Sequence, residues 1–180
     1  MTDQELREIE ARCDLASPGP WTSIVEGRDQ LSGSSFIMVA SSGAAGEDIE
    51  FIGATADEQD FIARARQDIP RLLAEITRLR SLIPGAHREA PRDEDGISEQ
   101  ELRTMEDEIL GIPPGPWTIV EMGDPSVVRF FERLGPAAAG VAEIEVLGAT
   151  AADREFIAHS REDIPRLIAE LRRRTALTTR

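Results

Sequence analysis

The chain of 180 residues contains no lysine and no tyrosine, one cysteine, two histidines and two tryptophans. Each shortage excludes some chemistry. The lone Cys13 rules out an internal disulfide and any paired-thiol redox motif. His87 and His159 lie near no serine or cysteine in a recognisable nucleophile setting. HExxH, phosphate-loop, CxxC and EF-hand spacings are all missing. No run approaches the roughly 20 apolar residues of a membrane span. The opening stretch "MTDQELREIE" is acidic, unlike a secretion signal with its basic start and apolar run. These absences lead to the expectation of a cytoplasmic protein with no catalytic residues, no metal, no cofactor and no contact with membranes. The acids of "PRDEDG" read as a solvated charge run rather than a cation site.

Positive charge is short as well. Twenty basic residues, all arginine, face 34 acidic ones, for a net charge of −14. Direct binding to nucleic-acid phosphates needs a basic face, so it is not expected. A basic protein partner suits the sign better. The hydrophobic share of 41% still supplies material for a core, which argues against disorder throughout.

What the sequence does contain, it contains twice. "TDQELREIEARCDLASPGPWT" at 2–22 aligns without a gap on "SEQELRTMEDEILGIPPGPWT" at 98–118. "IEFIGATADEQDFIARARQDIPRLLAE" at 49–75 aligns on "IEVLGATAADREFIAHSREDIPRLIAE" at 144–170. Roughly 40% of aligned positions are identical, which reads as internal duplication. The organisation follows: a first repeat over 1–82, a polar Pro/Gly linker over 83–97, a second repeat over 98–176 and a tail over 177–180.

Each repeat reads as a helix, three short strands and a long helix. Thr2 with Glu5, and Ser98 with Glu101, have capping-box spacing. Leu6, Ile9, Cys13 and Ala16 form one helical stripe, and Leu102, Met105, Ile109 and Ile112 form its counterpart. Cys13 thus aligns with Ile109, which marks it as a buried, inert thiol. Strands are expected in "WTSIVEG", "SFIMVAS" and "DIEFIGA", then in "WTIVEMG", "SVVRFFERL" and "AEIEVLGA". Thr55 and Thr150 are expected to cap the long helices. Pro70 and Pro165 are expected to kink or split them, with Asp68 and Asp163 capping the restarted segments. The fold class is therefore α+β, as two tandem α-β-β-β-α repeats packed as an intramolecular pseudo-dimer. It is a monomer with pseudo-two-fold symmetry, and further dimerisation is left open.

Four groups of residues stand out as site candidates. Gly19 and Gly115, within Pro-Gly-Pro-Trp, allow a sharp turn that seats Trp21 and Trp117. Those tryptophans are either core keystones or walls for a planar ligand. Arg66 and Arg161 border the apolar stripe of the long helices, and Arg71 and Arg166 recur beside them. They form structural ion pairs with Glu50/Glu145 and Glu26/Glu121, or they complete a tryptophan–arginine pocket for an anionic or aromatic ligand.

With both ends of the repeat in view, "SPGPWT" followed by "DEQDFIARARQDIPRLLAEI", and "PPGPWT" followed by "DREFIAHSREDIPRLIAEL", resemble the ead-like small early proteins of phages and prophages. Those typically carry one such unit. The resemblance covers the start and end of each repeat, about half the chain, and implies an accessory role without transferable catalytic residues. The functional expectation is a non-enzymatic module that binds a protein partner. A small-ligand binder is the alternative. Acidic mimicry of nucleic acid ranks below both, because the negative excess is spread over the two repeats.

Overall fold

The computed structural model describes residues 1–39, 48–81, 96–113, 117–121, 128–133 and 141–178. Helix α1 (Asp3–Leu15) starts where Thr2 accepts the Glu5 N–H and the Glu5 carboxylate accepts the Thr2 N–H. Ser98 and Glu101 start α3 (Glu99–Leu110) in the same way. A cap of this kind is worth about 1 kcal/mol to a helix this short. All eight residues of the two expected stripes are buried.

The strands are β1 (Trp21–Ile24), β2 (Phe36–Val39), β3 (Ile49–Ile52), β4 (Thr118–Glu121), β5 (Val128–Arg133) and β6 (Val141–Leu147). They form one antiparallel sheet in the order β1-β2-β3-β6-β5-β4. Alternation sorts the two faces. Ile37, Val39, Ile49, Phe51, Ile144 and Val146 point into the core, while Met38 and Ile52 are 46% and 48% exposed. At the centre Phe51 lies opposite Val146, flanked by Glu50 opposite Leu147 and Ile52 opposite Glu145.

Gly53 and Gly148 leave the strands at φ of 87° and 77°, a region open to glycine at little cost. Thr55 and Thr150 then cap α2 (Ala56–Ser81) and α4 (Ala151–Thr178), accepting from the N–H groups of Glu58 and Asp153. The chain is α+β, with the element order α-β-β-β-α over residues 3–81 and again over 99–178. Helices α2 and α4 pack on each other, and α1 and α3 each touch both.

Two expectations are corrected. The long helices do not break at Pro70 or Pro165; each runs through its proline. An interior proline costs about 3 kcal/mol. Keeping Ile69, Leu72 and Ile76, or Ile164, Leu167 and Leu171, on one buried stripe offsets that, since each such side chain gains about 1.5–3 kcal/mol on burial. Asp68 and Asp163 consequently cap nothing. Most of the expected linker (82–95), Gly115 with both flanking prolines, and 179–180 lie outside the described residues.

Both tryptophans are core residues, 2% and 5% exposed. Each meets an aromatic ring from the other half of the chain. Trp21 packs edge-on to Phe156 at 5.5 Å between centroids, and Trp117 edge-on to Phe61 at 6.2 Å. Trp21→Ala and Phe156→Ala should each destabilise the protein by about 3–5 kcal/mol. In the double mutant the losses should fall short of additivity by about 1 kcal/mol, measured by urea denaturation. Strict additivity would mean that the edge contact contributes nothing.

Candidate functional site

The residues singled out in the sequence are largely committed to holding the frame. Arg66 Nε donates to the Ser17 carbonyl at 2.9 Å, and its terminal nitrogens reach Cys13 Sγ at 3.2 Å and the Ala16 carbonyl at 3.5 Å. Its guanidinium carbon lies 5.6 Å from the centre of the Phe156 ring. Arg161 donates to the carbonyls of Pro113 at 3.1 Å and Ile109 at 3.2 Å. The carbonyls at a helix C-terminus lack partners within the helix and carry partial negative charge. Each arginine therefore clamps the end of the preceding short helix.

The expected carboxylate partners are not used. Glu50 and Glu145 alternate with core residues and so face away from the helices. Glu26 instead accepts from the Gly33 N–H, and the Glu121 side chain lies outside the described residues. The tryptophans are buried and these arginines turn to main-chain carbonyls, while Trp21 borders a hollow of about 350 Å³ beside Arg28 and Arg64 instead. The chain bends at Gly19, and a cis peptide bond joins Gly19 to Pro20. Gly19 does not adopt a positive φ, but a Cβ there would come within 3.3 Å of Arg66 Cγ. It is small so that the arginine stem can lie across it.

Arg71 and Arg166 tie the halves together. Arg71 donates to Glu101 at 2.6 Å, and Arg166 donates to Glu5. The Arg71 hydrogen bond, helped by the Ser98 cap, holds the Glu101 carboxyl down at about 2. Asp163 accepts from Arg12 at 2.7 Å. The position aligned with Arg12 is Glu108, so Asp68 meets a like charge where Asp163 meets a cation. Burial, then Glu108, pushes the Asp68 carboxyl up to about 6. Glu101 adds to that push, while Arg71 and Arg64 oppose it.

A larger cleft than the hollow beside Trp21 lies open among the described residues. It has a volume of about 890 Å³ and lies between α1 and the C-terminal half of α2. Leu6, Cys13, Leu73 and Ile76 give it an apolar lining. Burial pushes the Cys13 thiol up, against the nearby Arg66 guanidinium, so it lines the cleft as an apolar group. Arg80 pairs with Asp3 at one end, and Arg78 grips Glu75. Glu10 and Asp14 line the α1 side and form no ion pair among the described residues.

The corresponding gap between α3 and α4 is bridged. Arg172 donates to both oxygens of Glu106, at 2.6 and 2.9 Å, and to Glu99 at 2.9 Å. A hollow of about 350 Å³ lies beside it. In the aligned helices Arg172 stands where the first half has Thr77, and buried Ile168 stands where it has half-buried Leu73. Sequence reasoning passed over Thr77, Glu10 and Arg172. The signal was the mismatch of "AEITRLR" with "AELRRRT", where one repeat offers an arginine to a shared acid and the other does not.

Gly19→Ala should destabilise by about 1 kcal/mol, because Arg66 is held by several bonds and cannot yield freely. The loss should shrink when Arg66→Ala is also present, as a double-mutant cycle by chemical denaturation will measure. For Asp68 the sign follows from linkage. The folded protein binds this proton more tightly than the unfolded chain, so its contribution is greatest below about pH 4 and declines as pH rises through 6. Asp68→Asn should therefore stabilise the protein at pH 7 by about 1 kcal/mol and flatten the stability profile between about pH 4 and 6. Thermal melts across that range provide the check.

Comparison with family models, curated proteins and solved structures finds no match to this chain.

Proposed function

We propose that the chain is an intramolecular pair of one duplicated α-β-β-β-α unit, and that it works as a non-enzymatic protein-interaction module. Its docking face is the open cleft between α1 and α2. The pairing reading draws on reciprocal contacts of the kind that a two-fold interface generates. Trp21 meets Phe156 while Trp117 meets Phe61. Arg71 meets Glu101 while Arg166 meets Glu5. The resemblance to ead-like early proteins makes an accessory role in a phage or mobile element the natural setting, in the cytoplasm.

The observation that carries the docking reading is the difference between two aligned clefts. One is bridged by its own Arg172, and the other keeps an apolar lining with no bridge of that kind among the described residues. Thr77, in the α1–α2 cleft, stands where Arg172 makes that bridge. The tryptophans and clamping arginines favour no competing ligand site, since they are used within the frame.

Ala74 is exposed and borders the cleft, so Ala74→Glu should leave the fold intact while obstructing the site. The immobilised wild-type protein should retain a cellular protein in stoichiometric amount. Ala74→Glu should lose it at an unchanged melting temperature. Retention unaffected by the substitution, or no stoichiometric partner at all, would overturn the assignment.

A further inference from the structure

We infer a proton-controlled latch at the seam between α2 and α3. Uptake of a proton at Asp68 holds α3 against α2, and its release lets α3 move away while remaining fastened to α4. The seam between α4 and α1 is the counterpart and shows what has changed. There Arg12 on α1 donates to Asp163 at 2.7 Å, and Arg166 stands 3.8 Å from the other oxygen of that carboxylate. Arg166 also pairs with Glu5. In these contacts two arginines meet two acids.

At the α2–α3 seam Glu108 occupies the position of Arg12. The charged groups that face Asp68 among the described residues are Arg64 and Arg71 on its own helix, with Glu101 and Glu108 on α3. Arg71 bonds Glu101 at 2.6 Å and stands 3.8 Å from Asp68, while Arg64 pairs with Glu108. Three acids thus share two arginines. Asp68, with its side chain only 15% exposed, is left with the distant contact. A carboxylate so placed is costly when charged and far less so when neutral.

The packing leaves room for movement at this seam. A hollow of about 330 Å³ lies between the two helices, lined in part by Gln67, Asp68, Thr104 and Met105. A second of about 400 Å³ adjoins it and shares Arg64, Thr104 and Glu108. Helix α3 is gripped from the other side. Arg172 on α4 bonds Glu99 and Glu106, and Arg161 on α4 bonds the carbonyls of Ile109 and Pro113. The two arginine pairs that join α2 to α3 are partly exposed and therefore weak. Helix α3 accordingly pivots on α4 rather than leaving the fold.

The direction follows from linkage. With the seam closed, burial and then Glu108 raise the Asp68 carboxyl to about 6. With the seam open, water reaches Asp68 and it titrates as an ordinary aspartate. The closed form binds the proton more tightly, so closure is favoured at low pH and declines as pH rises through 6.

Hydrogen exchange of the full chain, expressed as protection relative to an unstructured peptide at the same pH, tests this. Protection of the α3 amides should fall about tenfold from pH 5 to pH 7, the change set by the Asp68 shift. The α1 amides, whose seam has the Arg12–Asp163 pair, should change far less. Asp68→Asn should keep α3 equally protected at both pH values. Glu108→Arg gives Asp68 the cation that Asp163 has, and should raise α3 protection at pH 7 toward that of α1. Loss of protection in step in α1 and α3 would overturn the latch, since the proton would then act on the fold as a whole. A fall in α3 protection that persists in Asp68→Asn would do the same.

Discussion

The constraint that joins the two halves is the edge-on contact between each tryptophan and a phenylalanine from the other half. Pro-Gly-Pro-Trp ends a short helix and begins a strand, so the indole can point only where those two elements meet. There Trp21 Nε1 donates to the Ser17 carbonyl at 3.2 Å, which ties the ring to the helix end it has just left. Ser17 in turn donates its N–H and hydroxyl to Asp153, two residues into the helix that carries Phe156. Arg66 grips the Ser17 carbonyl and lies near the same phenylalanine. Helix end, turn, indole, cap and phenylalanine thus form one connected unit that spans both halves. A unit of about 80 residues buries too little surface to be secure alone, so the aromatic seam contributes both core and registry.

The two halves use this seam with different chemistry at its edges. Pro113 stands where the other half has Ser17 and has no N–H to offer, so the pattern that binds Asp153 cannot be copied onto Glu58. That carboxylate serves its own Thr55 instead. Glu108 replaces Arg12, which turns an ion pair into a repulsive meeting with Asp68. Arg64 answers in part by pairing with Glu108. These departures are local and charged, whereas the apolar stripes and the aromatic pairs are kept on both sides. Packing tolerates little volume change, while partly exposed ion pairs are worth only about 0–1 kcal/mol.

Much of the frame was legible in the sequence because its signals are local. The two capping boxes, the four-residue stripes and the strand segments each depend on neighbours within a few positions. The buried tryptophans were half legible: their placement followed from the prolines, but the identity of their partners did not, because Phe156 is far away in sequence. Pro70 misled for the same reason. A breaker is a local signal, and the stripe of Ile69, Leu72 and Ile76 that overrides it acts through α4. The partners of Arg66 could not be inferred from residue types at all, since main-chain carbonyls carry no letter. The turn at Gly19 was legible, but the space it leaves for the Arg66 stem was not. At the cleft the informative letter was Thr77, and it informs only through comparison with Arg172.

That comparison also explains why the proposed fusion of two units would matter for function. In a symmetric dimer of identical chains, any residue that closes one cleft closes both, and any residue that opens one opens both. Stability and binding then compete at every cleft position. Once the two units share a chain, Arg172 can tie α4 to α3 without imposing an arginine on Thr77. One cleft contributes to the fold and the other is released from that task. Glu10 and Asp14 on α1 form no ion pair among the described residues, a small cost because both are exposed. An open cleft of this kind is thus stable enough to persist.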